Sequence, residues 1–600
     1  MLVTRSNLSR VLANLRGANE LAVDTETTGL DCYGQDRLFS IIVATSTSNA
    51  YYFNYHQYPG KDVEYVLERG GISSIFGTKN RIYYMHNAKF DMAMLHKEGV
   101  TLGGTIHCTM AIARLLDSNL PSYSLFALAP SVGFAKSTAV EDNIKKNKLY
   151  TIVTVKGKKK KEKRLHYDRV PMEIMVPYGE QDALATFALG HFQRHRLGAT
   201  AVYGTECKLT KALFDMELAG IRIDRGYCED ALRGEHDRIG RAKKNFERIS
   251  GVPFEDKRMT FIEAFTAAGE TVPKTKKGNP CFDKLALEKF KTPLAGCLLQ
   301  YRDAYKRAGS YFQNFLEYSD ADSIVHCNMN QSGCKTGRMS VTRPALQTLN
   351  KEDDVDTIRD NTIRRAFIPK DGYTFFMLDY DQVEFRAMLD VAGQTNIIER
   401  INDGVDVHQA VADYMHTKRK AAKTINFMLL YGGGAEKLAA ALGISFLDGI
   451  YLRRRYFRSF PKVAKWINAI KVKAESGGKI TNKFGRVYKL ASRHSYRAPN
   501  YYVQGSCADA MKLAIVQVHD LLKDYKSRLL LSVHDEIIVE VHNDEYHVVA
   551  MIKDIMESVW PSELMKLTVG VNFSRKSWAD GKPWDAAAGD KVQEQGPKGA

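Results

Sequence analysis

The sequence predicts a multidomain protein that combines α/β and α+β folds. Its 600 residues are too many for one hydrophobic core and correspond to about three or four domains. Short apolar strands alternate with helical segments over residues 1–198, whereas residues 206–318 are mostly helical, polar and basic. From residue 331 onwards, strands that carry acidic residues alternate with long helical stretches.

Composition and charge narrow the function classes. The net charge of +17 favours a polyanionic partner, usually nucleic acid, although a solubility bias is an alternative. The nine cysteines lack C-x-x-C spacing, which argues against a zinc module or a disulfide framework and fits a reducing cytosol. The N-terminus has no signal-peptide layout, and no apolar run approaches the ~18 residues of a membrane span. We therefore expect a soluble, cytoplasmic protein with no membrane partner.

Carboxylates in the N-terminal region form a first candidate site. Asp24 and Glu26 lie at the end of a predicted strand and, being two residues apart, share one face of it. Asp91 ends a strand-to-helix passage, and Tyr178 and Asp182 are four residues apart on one helix face. An isolated Asp-x-Glu would more often be a solvated strand edge, so the prediction depends on the whole set.

In this order, Asp-x-Glu, Asn-x-x-x-Asp and Tyr-x-x-x-Asp resemble the DEDD family of proofreading 3′–5′ exonucleases. The resemblance implies a ribonuclease H-like domain that takes the single-stranded 3′ end of DNA. It also implies that Asp24, Glu26, Asp91 and Asp182 bind two divalent metal ions while Tyr178 orients the attacking water. The chemistry agrees, because clustered carboxylates repel one another unless metals neutralise them, and oxygen ligands suit Mg²⁺ or Mn²⁺ better than zinc.

A second set of carboxylates lies in the C-terminal half. The apolar segment 374–378 leads into Asp379, and the apolar segment 529–533 leads into Asp535 and Glu536. The two strands could meet in one antiparallel sheet and bring these carboxylates together. Either strand alone would be an ordinary strand with an acidic end.

Between these strands, a helix is predicted to carry two cations and two aromatic rings on one stripe. Arg419, Lys423, Phe427 and Tyr431 recur every four residues. Such a stripe suits a surface that grips a triphosphate and stacks on a base. The alternative is a packed helix with two snorkelling cations and two core aromatics.

Together these segments resemble family A DNA polymerases, the bacterial DNA polymerase I group and its phage relatives. Other matching segments are 216–224, 336–340, 344–347, 363–367, 456–457, 485–486 and 504–505. The resemblance implies a right-hand polymerase behind the exonuclease domain. The expected domains are the exonuclease at 1–198, the thumb at 199–330, the palm at 331–395 and 491–588, the fingers at 396–490 and a disordered tail at 589–600.

The resemblance also implies catalytic roles in the palm and fingers. Asp379 and Asp535 would hold two Mg²⁺ ions, with Mn²⁺ as a substitute and Tyr380 as a further ligand. Glu536 would be a supporting acid, and Lys423 would protonate the leaving pyrophosphate.

Residues that bind the incoming dNTP follow from the same resemblance. The phosphates would be contacted by Arg419, Lys423 and His408. Phe427 and Tyr431 would stack against the nucleotide and the templating position. Glu384 would crowd the 2′ position and exclude ribonucleotides, with Gln382 as a neighbouring contact. Asp381 stands where the family usually has Ser, and its effect is open.

DNA contacts are implied in two places. Arg338, Gln504 and His534 would read the minor groove of the primer-template or the primer end, where acceptors are common to all correct pairs. Arg302, Lys306 and Arg307 would hold the duplex through phosphates, although a solvated helix face is an alternative for each.

The segment 145–164 has ten Lys or Arg residues and one Glu, which predicts a mobile loop or hairpin tip. We expect it to touch single-stranded template, duplex or a processivity partner, unless it is an inert solvated loop. Only about twenty residues precede the first exonuclease strand. A 5′-nuclease domain is therefore not expected, as in phage replicative polymerases that act in the bacterial host cytoplasm.

Three alternatives are weighed against a proofreading DNA polymerase. A single-subunit RNA polymerase shares the palm aspartates, but Glu384 and the exonuclease residues argue against it. A stand-alone exonuclease with an inactive C-terminal region would need only the first set of carboxylates. A non-enzymatic nucleic-acid-binding protein would explain the charge but neither set.

Overall fold

The computed structural model describes residues 1–54, 75–135, 137–154, 161–275, 277–290, 292–349, 363–430 and 433–584. Tyr431, the side chain of Phe427 and the predicted tail at 589–600 lie outside this description. Of the helices that it does include, none combines the length and the apolar character that crossing a bilayer requires.

The N-terminal domain is built on a five-stranded sheet. Its strands are β1 (Glu20–Thr27), β2 (Leu38–Ala44), β3 (Ala50–Asn54), β4 (Ile82–Met85) and β5 (Thr105–Cys108). Their order is β3-β2-β1-β4-β5, with β2 antiparallel to β1 and β3, and β4 parallel to β1 and β5. Alternate residues of β1 enter two different hydrophobic cores, so both sheet faces are covered.

Helices cover this sheet. They are Leu8–Gly17, Ala88–Lys97, Thr109–Leu116, Leu125–Leu128, Ala139–Lys146 and Met172–Leu197. The last and longest helix lies very close to the sheet at Gly190, where an added Cβ would come 2.2 Å from a ring carbon of Tyr84. The missing side chain therefore lets this helix approach the strands and bring its own polar residues over them.

The basic segment forms a hairpin beside this domain. Strand β6 (Tyr150–Thr154) pairs antiparallel with β7 (Lys161–Leu165). These paired arms are compatible with a hairpin, whereas residues 155–160, on which the prediction of a mobile loop or hairpin tip falls, lie outside the described part of the chain.

A helical region follows. Its helices are Ala201–Ala219, Arg225–Ser250, Arg258–Ala267, Lys284–Leu287, Pro293–Lys306 and Gln313–Tyr318. The predicted helix over residues 300–312 changes at Arg307–Phe312 into a π-helical turn. Phe246, Phe261, Phe265 and Leu298 form part of a separate small core at the distal end of this region.

The C-terminal half contains a second five-stranded sheet. The strands from residue 221 onwards are β8 (Ile221–Arg222), β9 (Ile324–Val325), β10 (Asn328–Asn330), β11 (Ser340–Thr342), β12 (Tyr373–Tyr380), β13 (Ile480–Thr481), β14 (Val487–Tyr488), β15 (Arg528–Val533), β16 (Glu536–His542), β17 (Val569–Ser574) and β18 (Lys582–Pro583). The large sheet has the order β15-β16-β12-β17-β18, all antiparallel. The strands that lead into Asp379 and Asp535 thus share one sheet, as predicted, but β16 lies between them.

Helices pack on and beside this sheet. They are Val383–Ala392, Thr395–Asn402, Val407–Met415, Arg419–Leu430, Ala435–Leu442, Phe446–Ser459, Pro461–Glu475, Ala498–Leu522 and Val548–Ser558. One hydrophobic core joins the sheet to most of these helices. The two mixed architectures confirm the predicted fold class.

A buried ion network connects three parts of the chain. Glu206 and Lys512 form a 2.6 Å ion pair, and Arg486 pairs with Asp509 at 2.6 Å and with Glu206. All four side chains are at most 4% exposed. Burial alone would raise the pKa of Glu206, but the cations of Lys512 and Arg486 lower it to about 2.

Glu206→Ala is expected to destabilise the fold strongly, because it leaves two buried cations with one carboxylate. Removing one partner of a buried ion pair lowers the free energy of unfolding by about 3–5 kcal/mol. The measurement that checks this is the shift of the chemical denaturation midpoint. Since folding lowers the pKa of Glu206, its stabilising effect is present above about pH 4.5 and is lost towards pH 2. Glu255→Ala, which breaks the exposed pair with Lys257, is the control and should leave the midpoint unchanged.

Candidate active sites

The first candidate site lies on β1 of the N-terminal domain. Asp24 and Glu26 are inside this strand rather than beyond its end, two residues apart on one face. Asp91 lies in the first turn of helix Ala88–Lys97, and Tyr178 and Asp182 lie one turn apart on helix Met172–Leu197. The charges of Glu26 and Asp182 both act on Tyr178, so sheet and helix bring together residues 156 positions apart in the sequence.

Burial dominates the electrostatics of this site. Glu26 and Asp182 are each 8% exposed and Asp91 is 3% exposed. Burial raises the pKa of Asp91 to about 7, although the Thr25 hydroxyl donates a 2.5 Å hydrogen bond to it. The pKa of Tyr178 is raised by burial and then by the negative charges of Asp182 and Glu26. Carboxylates held this close in an apolar surrounding are those that a cation would stabilise.

Two residues near this site were missed from the sequence. Burial, followed by the charges of Glu141, Glu26 and Asp182, raises the pKa of Tyr167 to about 12. Glu141 also contributes to the raised pKa of Tyr178. Neither residue belongs to a motif, and only the packing of helix Ala139–Lys146 and of the 3₁₀ turn Tyr167–Arg169 beside the site identifies them.

The second candidate site lies on the C-terminal sheet. Asp379 of β12 is directly opposite Glu536 of β16. Strands β15 and β16 are joined by the two-residue turn His534–Asp535, in which His534 has a left-handed φ of 55°. The backbone N–H of Tyr380 donates a 3.1 Å hydrogen bond to the carbonyl of Asp535. The predicted acids are therefore neighbours at one end of the sheet.

Two arginines lie against these acids. Arg338 forms an ion pair with Glu384, and its guanidinium is 3.9 Å from Asp535. Arg364 is buried, donates a 2.9 Å hydrogen bond to the carbonyl of Leu349 and lies over the Trp578 ring. Burial lowers the pKa of Arg364, while Glu536 and Asp379 oppose that shift, so its cation lies within their field. Arg364 had no role assigned from the sequence.

The stripe on helix Arg419–Leu430 is exposed at its first two positions, Arg419 and Lys423. Arg419 donates two 2.9 Å hydrogen bonds to Asp406, the N-cap of helix Val407–Met415. His408 is 2% exposed and lies 3.3 Å from the amide of Asn426. A phosphate contact by His408 would thus require this helix pair to rearrange.

Residues after Asp379 form a tight turn into helix Val383–Ala392. Gln382 takes a left-handed φ of 50°, and Glu384 is buried in the first helical turn. The exposed carboxylate of Asp381 accepts a 2.9 Å hydrogen bond from the Thr568 hydroxyl. This hydrogen bond links Asp381 to the loop that enters β17, and it depends on the carboxylate of Asp381.

The predicted DNA contacts have mixed outcomes. Gln504 is partly exposed on helix Ala498–Leu522, and His534 is exposed in its turn. Lys306 is exposed, but Arg307 is 8% exposed and donates a 2.7 Å ion-pair hydrogen bond to Glu235. The guanidinium of Arg302 donates to the carbonyl of Phe282. The buried ion pair of Arg307 argues against its predicted phosphate contact, and the guanidinium of Arg302 is likewise engaged inside this helical region.

The side chains of the two sites determine which metal ions they could hold. Within the described residues, no three His, Cys, Asp or Glu side chains form a complete metal cluster. The donor types still fit a hard divalent cation, since both sites supply carboxylate oxygens: Asp379 and Glu536 are paired across β12 and β16 with Asp535 in the adjoining turn, and Glu26 and Asp182 both act on Tyr178.

Comparisons with known proteins identify the class. Residues 258–580 match the model of DNA polymerase family A, and residues 1–197 match that of a 3′–5′ exonuclease. The first match covers more than half of the 600 residues, and the chain therefore belongs to DNA polymerase family A. Both kinds of domain are metal-dependent, and the resemblance seen in the sequence is confirmed.

Individual relatives share this layout. The chain is 28% identical to DNA polymerase I of Chloroflexus aurantiacus over 96% of its own length and 63% of that protein's. It is 31% identical to the thermostable DNA polymerase I of Thermus thermophilus over 63% of the chain and 48% of that enzyme. The chain thus spans about half to two thirds of these relatives.

A phage protein and a solved structure match almost throughout. DNA polymerase DpoZ of Salmonella phage PMBT28 is 25% identical to this chain, over 97% of this chain and 99% of the phage protein. The polymerase domain of Pol1 from M. smegmatis, solved with DNA primer-template and dNTP, superposes with a TM-score of 0.79 at 23% identity. That superposition covers 97% of this chain and 99% of the mycobacterial one, and it supports the fold.

Proposed function

We propose that this protein is a template-directed DNA polymerase that adds dNTPs to a primer 3′ end and removes misplaced nucleotides with a separate 3′–5′ exonuclease. The observation that carries the proposal is the presence of two carboxylate sites on two different sheets of one chain. Asp379 lies opposite Glu536 on one sheet, and Asp24 and Glu26 share a face of the other. Their surroundings differ, which fits two reactions at two places.

Each site is proposed to hold two Mg²⁺ ions, with Mn²⁺ as a substitute. Asp379, Asp535 and the carbonyl of Tyr380 would be ligands in the palm, and Asp24, Glu26, Asp91 and Asp182 would be ligands in the exonuclease. Bound there, the metals would supply Lewis-acid stabilisation of phosphate charge and a more acidic nucleophile. Glu536 would support the palm acids, and Tyr178 would orient the water that attacks the terminal phosphodiester.

Helix Arg419–Leu430, in the expected fingers, would bind the incoming nucleotide. Arg419 and Lys423 are exposed one turn apart, so their cations can contact one triphosphate. Arg419 would exchange its two hydrogen bonds to Asp406 for bonds to phosphate. Lys423 would protonate the leaving pyrophosphate, and Phe427 and Tyr431 would stack on the nucleotide and the templating position, with His408 and Gln382 nearby.

DNA binding would use the rim of the palm. Arg338, Gln504 and His534 would contact the primer-template minor groove, and Lys306 would contact phosphate from the thumb. A processivity factor or other replisome protein stays a prediction. So does a cytoplasmic location, which would be that of the bacterial host for a phage-encoded enzyme.

The direct test uses the wild-type chain and a 5′-labelled primer annealed to a longer template. With Mg²⁺ and all four dNTPs, we expect extension whose sequence follows the template. Without nucleotides, we expect stepwise shortening of the primer. Efficient extension with rNTPs would favour the RNA polymerase alternative, and shortening without any extension would favour the stand-alone exonuclease.

Sugar selection is expected to depend on Glu384. Its buried carboxylate, held by Arg338, would occupy the space of a ribose 2′-hydroxyl. Glu384→Ala should lower the preference for dNTP over rNTP by roughly 10²-fold, as expected when a steric exclusion is removed. The readout is the ratio of kcat/KM for the two nucleotides. Glu399→Ala, at an exposed position on the next helix, should keep the wild-type ratio.

A further inference from the structure

The hairpin β6–β7 has two different faces. The strand register places Tyr150 opposite Leu165, Ile152 opposite Lys163 and Thr154 opposite Lys161. Because side chains alternate along a strand, Tyr150, Ile152, Lys161, Lys163 and Leu165 share one face, and Arg164 lies on the other. Leu165, at the base of this face, packs against the hydrophobic core of the N-terminal domain. We refer to the part of the face beyond it, formed by Tyr150, Ile152, Lys161 and Lys163, as the outer face of the hairpin.

The opposite face fastens the hairpin beside the exonuclease site. Arg164 forms an ion pair with Asp36 and donates a 3.4 Å hydrogen bond to the carbonyl of Thr28. Thr28 directly follows β1, the strand of Asp24 and Glu26. The chain leaving β7 reaches Tyr167, which lies within the electrostatic influence of Glu26 and Asp182. The hairpin base is therefore held at the end of β1 that leads out of the carboxylate site.

The outer face has the chemistry of a single-strand-binding surface. Lys161 and Lys163 are exposed, and Ile152 is 66% exposed although it is apolar. The ammonium of Lys163 lies 4.0 Å from the centre of the Tyr150 ring. Cations beside an aromatic ring and an aliphatic side chain provide phosphate contacts together with a platform for bases.

We propose that the outer face of the hairpin binds the single-stranded 3′ end of DNA as it enters the exonuclease site. Lys161 and Lys163 contact the backbone phosphates, and Tyr150 and Ile152 contact bases. This proposal rests on the proposed exonuclease function and specifies how its substrate is captured. The expected partners of the basic segment were single-stranded template, duplex or a processivity protein; the proposed one is single-stranded DNA too, but the 3′ end that is degraded rather than the template.

The test measures binding of a labelled single-stranded oligothymidylate to Lys161→Ala/Lys163→Ala. Binding is measured in a chain that also carries Asp24→Ala/Glu26→Ala, so that the oligonucleotide is not degraded. We expect a roughly tenfold weaker Kd at about 50 mM salt, since two phosphate contacts are lost. The ratio of the variant's Kd to that of the parent chain should fall about sevenfold as the salt concentration rises from about 50 to 200 mM. The reason is that each of the two lost single-strand contacts contributes ~0.7 to the salt slope.

The matched control removes two cations at the other end of the sheet, in Lys79→Ala/Arg196→Ala. These residues lie near the start of β1, where Arg194 pairs with Glu20 and Ile82 bonds to Asn19, and both are exposed. The control should bind within about twofold of the parent chain. Ile152→Ser provides a second variant without a charge change, and it should weaken binding while leaving the salt slope unchanged.

Three outcomes would overturn the proposal. The first is an unchanged Kd and salt slope in Lys161→Ala/Lys163→Ala. The second is an equal loss of binding to blunt duplex, which would assign the hairpin to duplex DNA. The third is a loss of processivity only when a host extract is added, which would assign it to a protein partner. Failure of the exonuclease function itself would appear separately, as absence of degradation by the chain with all acids intact.

Discussion

Asp379→Asn is expected to reduce DNA synthesis by at least ~10³-fold, the scale on which groups that stabilise phosphoryl-transfer charge act. The substitution keeps the size of the side chain and removes its negative charge. Asp379 lies opposite Glu536 and beside the Asp535 turn, so the lost charge is central to the proposed metal site. The measurement is single-turnover extension of a labelled primer by one dNTP, with degradation on single-stranded DNA followed in parallel.

The segment that leads into the same strand provides the control for this variant. Asp371 is exposed and lies two residues before β12 begins, whereas Asp379 is near the other end of that strand. Asp371→Asn makes the identical chemical change and should leave synthesis unaltered. Synthesis by Asp379→Asn within tenfold of wild type would contradict the assignment. A parallel loss of degradation would show that the variant had lost its fold rather than one ligand.

The sequence predicted the acids of both sites because their signal is local. An apolar strand followed by an acid, or a Tyr and an Asp one helical turn apart, can be recognised within a few residues. The tertiary arrangement, in contrast, depends on pairings that spacing does not encode. Strand β16 lies between the strands of Asp379 and Asp535, which a pattern of two isolated strands could not indicate.

Side-chain partners were harder to predict than side-chain positions. A basic helix near a thumb predicts DNA contacts, yet Arg307 pairs with Glu235, which lies 72 positions earlier. Lys89 shows the same effect inside a motif, because it donates to Glu217 on helix Ala201–Ala219 and to the carbonyl of Met329 on β10. The sequence does not distinguish a basic residue that binds phosphate from one that neutralises a buried acid. Only the packing of the folded chain distinguishes the two.

Tyr167 and Glu141 lie near the first site, but nothing in the sequence indicated them. Their positions near Glu26 and Asp182 follow from how a short helix and a 3₁₀ turn pack beside β1. No periodicity marks either residue, since each lies in an ordinary polar segment. Residues of this kind surround the reacting groups without belonging to a motif, and a sequence alone does not reveal them.

Asp24→Ala/Glu26→Ala is expected to lower degradation of single-stranded DNA by at least ~10³-fold, since it removes two of four proposed metal ligands. Synthesis on a matched primer should stay at the wild-type rate, because these acids lie on a different sheet from Asp379. Extension from a mismatched primer should yield product that keeps the mismatch. Asp379→Asn serves as the reciprocal control, with degradation retained and synthesis lost.

Stability supplies an independent check on this second variant. Glu26 is buried near Asp182, and Asp91 is held in an apolar surrounding that already raises its pKa to about 7. Carboxylates in this arrangement repel one another when no cation is bound, so the site is maintained at a cost in stability. The doubly substituted protein should therefore melt at the same temperature as wild type or higher when metal is chelated. A lower melting temperature, or loss of synthesis together with degradation, would indicate that these acids support the fold rather than the reaction.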